Sequence, residues 1–155
     1  GILCENHQFD DAKKFMNSAN YLKISTDLQK LQSLFYFNYH SARYKEAEKI
    51  LQDTLFNATS NRHLKTLVYS QLGKKAEVYK IFENQTANSN DKAFGFAILK
   101  ERDSMYFYLN KDNINSELIN SRFEFDPYRK EERYKAFMKK NNLPLIEKHN
   151  GTLNQ

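Results

Sequence analysis

The chain has 155 residues, of which 40% are hydrophobic and 28% charged, a balance that fits one globular domain with a sizeable core and excludes a disordered polymer. Four Gly and two Pro are too few for many tight hairpins, so an all-α chain is expected. The formal charge is +5 with a pI near 9.1. Cations alternate with acids, as in Lys45, Glu46, Glu48 and Lys49 or Arg129-Lys130-Glu131-Glu132-Arg133, which reads as solvated helix faces rather than one nucleic-acid stripe.

The start, GILCENHQFDD, lacks the basic opening and long apolar stretch of a signal peptide. It opens inside what reads as a helix-turn, as expected of a piece of a longer protein. The single cysteine, Cys4, rules out an internal disulfide, and no apolar run approaches the ~18 residues of a membrane span. A cytoplasmic location with no membrane contact is expected.

From His7 onward one pattern recurs: HQFDDAKKFMNSA, then ARYKEAEKILQDT from Ala42, GKKAEVYKIFENQ from Gly73 and KERDSMYFYLNKD from Lys100. In each, a turn is followed by a small or apolar residue and a large apolar one four places later. These pairs are Ala12 and Met16, Ala47 and Leu51, Val78 and Phe82, and Met105 and Leu109, spaced 35, 31 and 27 residues apart. A small residue followed by a large one at i+4 lets a neighbouring helix come close and fills the gap one turn on.

Each interval holds two short helices. Thr26 and Gln29 form a capping box that opens a first helix over 27–41, followed by a second over 44–57. Ser60 as N-cap opens 61–72, followed by 74–86. Ser89 or Asn90 opens 91–100, followed by 102–111. The pattern then changes to a short amphipathic helix, an Asp126-Pro127 turn, and a last helix over 131–141 that Pro144 ends. The tail 147–155 has no apolar period and is expected to be flexible.

These residues resemble the tetratricopeptide repeat family. Ala42 to Leu51 matches its turn, tyrosine, alanine and large-apolar positions, with Ala42 in place of the preferred glycine. Gly73 keeps the glycine with Val78 at the alanine position, while Lys100 and Met105 depart at both. Phe125 to Phe137 is similar to the segment that closes many bacterial tetratricopeptide regions of winged-helix regulators, adenylate cyclases and kinases. There Asp-Pro-Leu-Arg is followed by Asp-Pro-Arg-Phe; here Arg129 and Arg133 stand in register and the second proline is absent.

The resemblance implies a right-handed α-α superhelix. It would be a solenoid of about three and a half units over 1–111, the first truncated, with a closing helical segment at 112–146. It also implies a C-terminal module of a larger bacterial regulatory or signalling protein, whose groove holds a peptide, a partner protein or another domain of the same polypeptide.

On the helix over 27–41, Leu31, Leu34, Phe35 and Asn38 are placed to face its own partner helix and Phe37 the preceding unit. By the family's register the groove receives Gln29, Gln32, Tyr36, Tyr39 and His40, then His63, Leu67, Ser70 and Gln71, then Phe94 and Ala97. Rings with polar tips such as Tyr36 and Tyr39 suit a peptide-holding surface. The partner-binding groove is therefore read as Gln32, Tyr36, Tyr39, His40, His63, Leu67, Ser70, Gln71 and Phe94.

No catalytic, cofactor or metal site is expected. Cys4-Glu5-Asn6-His7 has ligand-like spacing, but His40, His63 and His149 carry no paired cysteine or carboxylate motif. The adjacent acids Asp10-Asp11 and Glu131-Glu132 diverge by about 100° on a helix and cannot converge as an acid/base pair. No glycine-rich phosphate loop and no nucleophile motif occurs. The sequons at Asn57, Asn84 and Asn150 read as turns. Arg129 and Arg133 are placed to clamp the last helix onto the final unit beside Asp126 and Glu132. Two alternatives stay open: a nucleic-acid-contacting helical repeat using Lys74 and Lys75, and a structural dimeriser.

Overall fold

The computed structural model describes residues 9–54, 62–83 and 87–146, and among these all regular structure is helical. In chain order the helices are α1 (Phe9–Met16), α2 (Ala19–Ile24), α3 (Asp27–His40), α4 (Tyr44–Leu51), α5 (Arg62–Gln71) and α6 (Lys75–Glu83). Then come α7 (Ser89–Ile98), α8 (Arg102–Leu109), α9 (Ser116–Asn120), a 3-10 segment (Phe123–Tyr128) and α10 (Glu132–Lys140). The expected N-cap Ser60, the sequons at 57, 84 and 150, the Cys4–His7 motif and the tail 147–155 lie outside the described residues.

Local chemistry sets the helix starts. Thr26 Oγ1 accepts from the Gln29 N–H at 3.2 Å while Gln29 Oε1 accepts from the Thr26 N–H at 2.8 Å, the reciprocal box expected at α3. At α7 the cap is Asn88, whose Oδ1 accepts from the Asp91 N–H at 2.9 Å, not Ser89 or Asn90. All three are good capping residues in a row, so composition alone does not choose among them. The short α2, absent from the expected elements, is opened by Ser18, whose Oγ accepts from the Tyr21 N–H at 3.2 Å.

One turn joins each helical hairpin. Ala42, Gly73 and Lys100 take φ of 57°, 66° and 60°. The N–H that follows each donates five residues back: Arg43 to the Asn38 carbonyl at 2.8 Å, Lys74 to Tyr69 at 2.8 Å, and Glu101 to Phe96 at 2.9 Å. This left-handed cap satisfies carbonyls that the helix end would leave open and turns the chain sharply. The three expected turn positions therefore share one geometry. α10 stops in the same way at Asn142, φ 54°, with Leu143 N–H on the Met138 carbonyl at 3.0 Å and Pro144 just beyond.

The anchor pairs pack as their spacing requires. Ala12, Ala47, Val78 and Met105 are buried, as are Leu51, Phe82 and Leu109. Helix α3 packs on α4, α5 on α6 and α7 on α8, while α5 also meets α4 and α7. Side chains of α5 and α6 close on the α7 backbone at Gly95, where a Cβ would lie 2.6 Å from Phe82 Cζ and 3.0 Å from Thr66 Cγ2. Phe37 packs against Ala12 and Met16 of the preceding unit, as expected.

Leu34 is a correction. It is 43% exposed instead of facing α4; the same place before the turn is held on α5 and α7 by the half-buried Lys65 and Lys92. Phe35 and Asn38 are buried.

One apolar cluster runs from Phe35 on α3 through α4 to α8 and on to Ile119, Phe125, Tyr128, Tyr134, Phe137 and Met138. The C-terminal segment thus shares the core of the hairpins. Among the described residues no helix is long and apolar enough to cross a membrane.

Candidate partner-binding face

Because α3, α5 and α7 end in the same turn, residues at equal distances before it occupy equivalent places. Tyr36, Leu67 and Phe94 form one row, Tyr39, Ser70 and Ala97 a second, and Gln32 holds the place on α3 that His63 holds on α5. The candidate groove residues accordingly fall into rows. They do not share one degree of exposure.

Gln32, Tyr36, His63 and Gln71 are half-buried and Gln29 is exposed. Tyr39, His40, Leu67, Ser70, Phe94 and Ala97 are buried. The expectation of an open groove at these last positions is therefore corrected: all six are buried, and over Tyr39, His40, Phe94 and Ala97 lies the chain's own 3-10 segment. Phe123 packs against His40 with ring centroids 5.5 Å apart and against Tyr39 at 6.1 Å. Phe125 sits edge-on to Phe94 at 5.1 Å, and the Tyr128 hydroxyl donates to the Ala97 carbonyl at 2.6 Å.

A buried polar group stands between those rings. The Tyr39 hydroxyl donates to Glu124 Oε1 at 2.9 Å. Arg122 holds the same carboxylate in a fork, Nη2 on Oε1 at 2.7 Å and Nε on Oε2 at 3.1 Å, and its guanidinium lies over the Phe94 ring at 5.3 Å. Bidentate charge-assisted bonds of this kind offset the desolvation of a carboxylate whose side chain is wholly out of solvent.

The pKa directions follow from this geometry. Burial alone would raise the Glu124 carboxyl, but the Arg122 charge, the Arg122 and backbone hydrogen bonds and the Tyr39 hydroxyl together leave it below the ordinary value. The Tyr39 hydroxyl is pushed well up, first by burial and then by the Glu124 charge, against the smaller downward pull of the Arg122 charge and of a Gln71 side-chain hydrogen bond from α5.

His63 has a partner that sequence spacing hid. Its Nδ1 lies 2.8 Å from Asp91 Oδ1, and its ring stands on Phe94 at 5.2 Å. Asp91 is 28 residues downstream, so no local motif announces the pair. Among the described residues no three His, Cys, Asp or Glu gather where they could hold a metal ion.

The arginines of the closing segment act separately. Arg129, 1% exposed, donates to Asp126 Oδ1 at 2.6 Å, to Asn120 Oδ1 at 3.1 Å, and to the carbonyls of Asn120, Arg122 and Ile146 at 2.9, 3.0 and 3.4 Å. It ties α9, the 3-10 segment and the strand of chain after α10 together. Arg133 reaches Asp103 on α8 at 2.7 Å and lies over Tyr106 at 4.2 Å, the clamp onto the last hairpin. Glu132, expected beside them, pairs with Lys135 instead at 2.7 Å. Lys74 and Lys75 are engaged by Glu48 at 2.6 Å and Glu101 at 3.1 Å.

Sequence reasoning missed Arg122, Phe123, Glu124 and Phe125 as part of this face. The available signal was Arg-Phe-Glu-Phe itself, in which a lone acid between two large rings has few ways to stay solvated. Compared with known proteins, the chain matches no family model, no curated protein and no solved structure.

Proposed function

We propose that this chain is a right-handed α-helical solenoid of tetratricopeptide type, about three and a half units closed by the segment 112–146. It acts as a non-catalytic interaction or sensor module in a larger bacterial regulatory or signalling protein, in the cytoplasm. The observation that carries the reading is the recurrence of one left-handed turn at Ala42, Gly73 and Lys100. That turn sets equivalent rows of side chains on α3, α5 and α7, and stacked helical units of this kind bind along such surfaces.

The accessible part of the face is its half-buried rim, Gln32, Tyr36, His63 and Gln71. Rings and amides there offer apolar area and hydrogen bonds at modest conformational cost, the chemistry of a protein or peptide contact. Pairing of Lys74 and Lys75 with acids of neighbouring hairpins favours a protein over a nucleic-acid partner, since neutralised cations release few counterions.

The test is a nuclease-treated pull-down with the whole chain beside a Gln32→Ala, Tyr36→Ala variant whose helicity matches the wild type by circular dichroism. A protein retained by the first and lost by the second is expected. Equal retention by both would remove the rim from the site, and retention that nuclease abolishes would favour nucleic acid.

A further inference from the structure

The 3-10 segment meets the face of α3 and α7 as a docked peptide would. The backbone bonds at its two ends are long, Phe125 N–H to the Arg122 carbonyl and Arg129 N–H to the Asp126 carbonyl both at 3.4 Å, whereas the hairpin turns close at 2.8 to 2.9 Å. Its two ends are therefore closed only loosely by the backbone. Arg129 grips it through Asp126 and the Arg122 carbonyl, and the face supplies the rest: the Tyr39 hydroxyl on the Glu124 carboxylate, Phe94 against Phe125, and the Ala97 carbonyl under Tyr128.

Resting on the interaction reading above, we infer that this face recognises a short peptide of the order arginine, aromatic, acid, aromatic, and that residues 122–128 are its internal competitor. An acceptor is required because Tyr39 presents a buried donor, and a carboxylate rather than an amide because both its oxygens are needed to pair the arginine's fork beside it. The arginine two places earlier is required because one hydroxyl cannot offset a desolvated carboxylate, and in the chain itself the guanidinium also covers the Phe94 ring. The flanking rings fill the spaces beside Tyr39 and Phe94. A partner carrying this motif binds when the internal copy leaves.

A fluorescent peptide with the sequence of residues 122–128 tests this by anisotropy on the full chain. A Phe123→Ala, Glu124→Ala variant, in which the internal copy is weakened and the face kept, is expected to bind it at least ten times more tightly than the wild type. Adding Tyr39→Phe to that variant, or changing the peptide's glutamate to glutamine, is expected to undo the gain. A folded variant that ignores the peptide overturns the inference.

Native-state hydrogen exchange on the unaltered chain decides the matter if the variant does not fold. Amides of 123–128 are expected to exchange through an opening that leaves α5 and α7 protected; exchange only together with α5 and α7 overturns the proposal. The two readings fail separately. Rim substitutions that still abolish capture while the peptide result is negative sink the internal competitor alone, and rim substitutions without effect sink the wider reading.

Discussion

Lys100 holds φ at 60° where the equivalent residue of the neighbouring hairpin is Gly73 at 66°. A left-handed conformation costs a residue with a Cβ about 1 kcal/mol. A Cβ on Gly73 would meet nothing within 4 Å, so the cost there is backbone alone. Lys100→Gly is therefore expected to raise stability by about 1 kcal/mol and Gly73→Ala to lower it by about as much, both read from urea midpoints. Equal midpoints for all three chains would show that the turn does not bear the strain its angles imply. Arg129 gives the opposite lesson about conservative change. Its planar fork reaches Asp126, Asn120, Arg122 and Ile146 at once, and a lysine has one compact charged end. Arg129→Lys is expected to cost about 3 kcal/mol by leaving buried carbonyls without donors, and a loss below about 0.5 kcal/mol in the same experiment would contradict the bonding described.

The α3 to α8 hairpins were legible in the sequence because a capping box, a small residue paired with a large one at i+4, and a left-handed turn are all local signals. The starts of α3 to α8 accordingly lie within two residues of the expected ones, while α4 stops at Leu51 where a helix to 57 was expected. The closing segment was legible only as an Asp-Pro turn and a helix. Its docking joins Tyr39 to Glu124 across 85 residues, and no periodicity reports a contact at that separation. The same junction makes a pH prediction. Glu124 sits below its ordinary value of 4.5 in the fold. A depressed carboxyl contributes stability that is present above the unfolded value and lost as pH falls through the folded one. Glu124→Gln should thus cost about 2 kcal/mol at neutral pH, and the gap to wild type should narrow once the pH drops below about 4.5, since the amide has no proton to take up. Urea midpoints at neutral and acid pH measure it. A gap that stays constant would mean that the carboxylate is not the group Arg122 and Tyr39 stabilise.

At the scale of the molecule, tyrosines bind the hairpins to the closing segment through one core. Tyr39 of α3 meets Glu124, Tyr106 of α8 donates to Glu131 at 2.9 Å, and Tyr134 of α10 packs near Phe125 and Phe137. Burial is the leading cause that raises all three hydroxyls above the ordinary 10.0, Tyr39 and Tyr106 with help from the neighbouring glutamates and Tyr134 up to about 12. For a group raised on folding, the stabilising contribution is whole below the unfolded value and is lost as pH rises through the folded one. Stability is therefore expected to hold up to about pH 10 and then to fall steeply, because ionising any of these hydroxyls would leave a charge in the apolar cluster. Tyrosinate absorbance and helical circular dichroism, followed together as pH rises, give the measurement. Part of the tyrosinate signal should appear only as helix is lost, and Tyr134→Phe should move that loss to higher pH by removing one ionisable group. If all the tyrosinate forms while the helices persist, these rings are reached by solvent without unfolding, and the single core joining α3 to α10 would have to be divided.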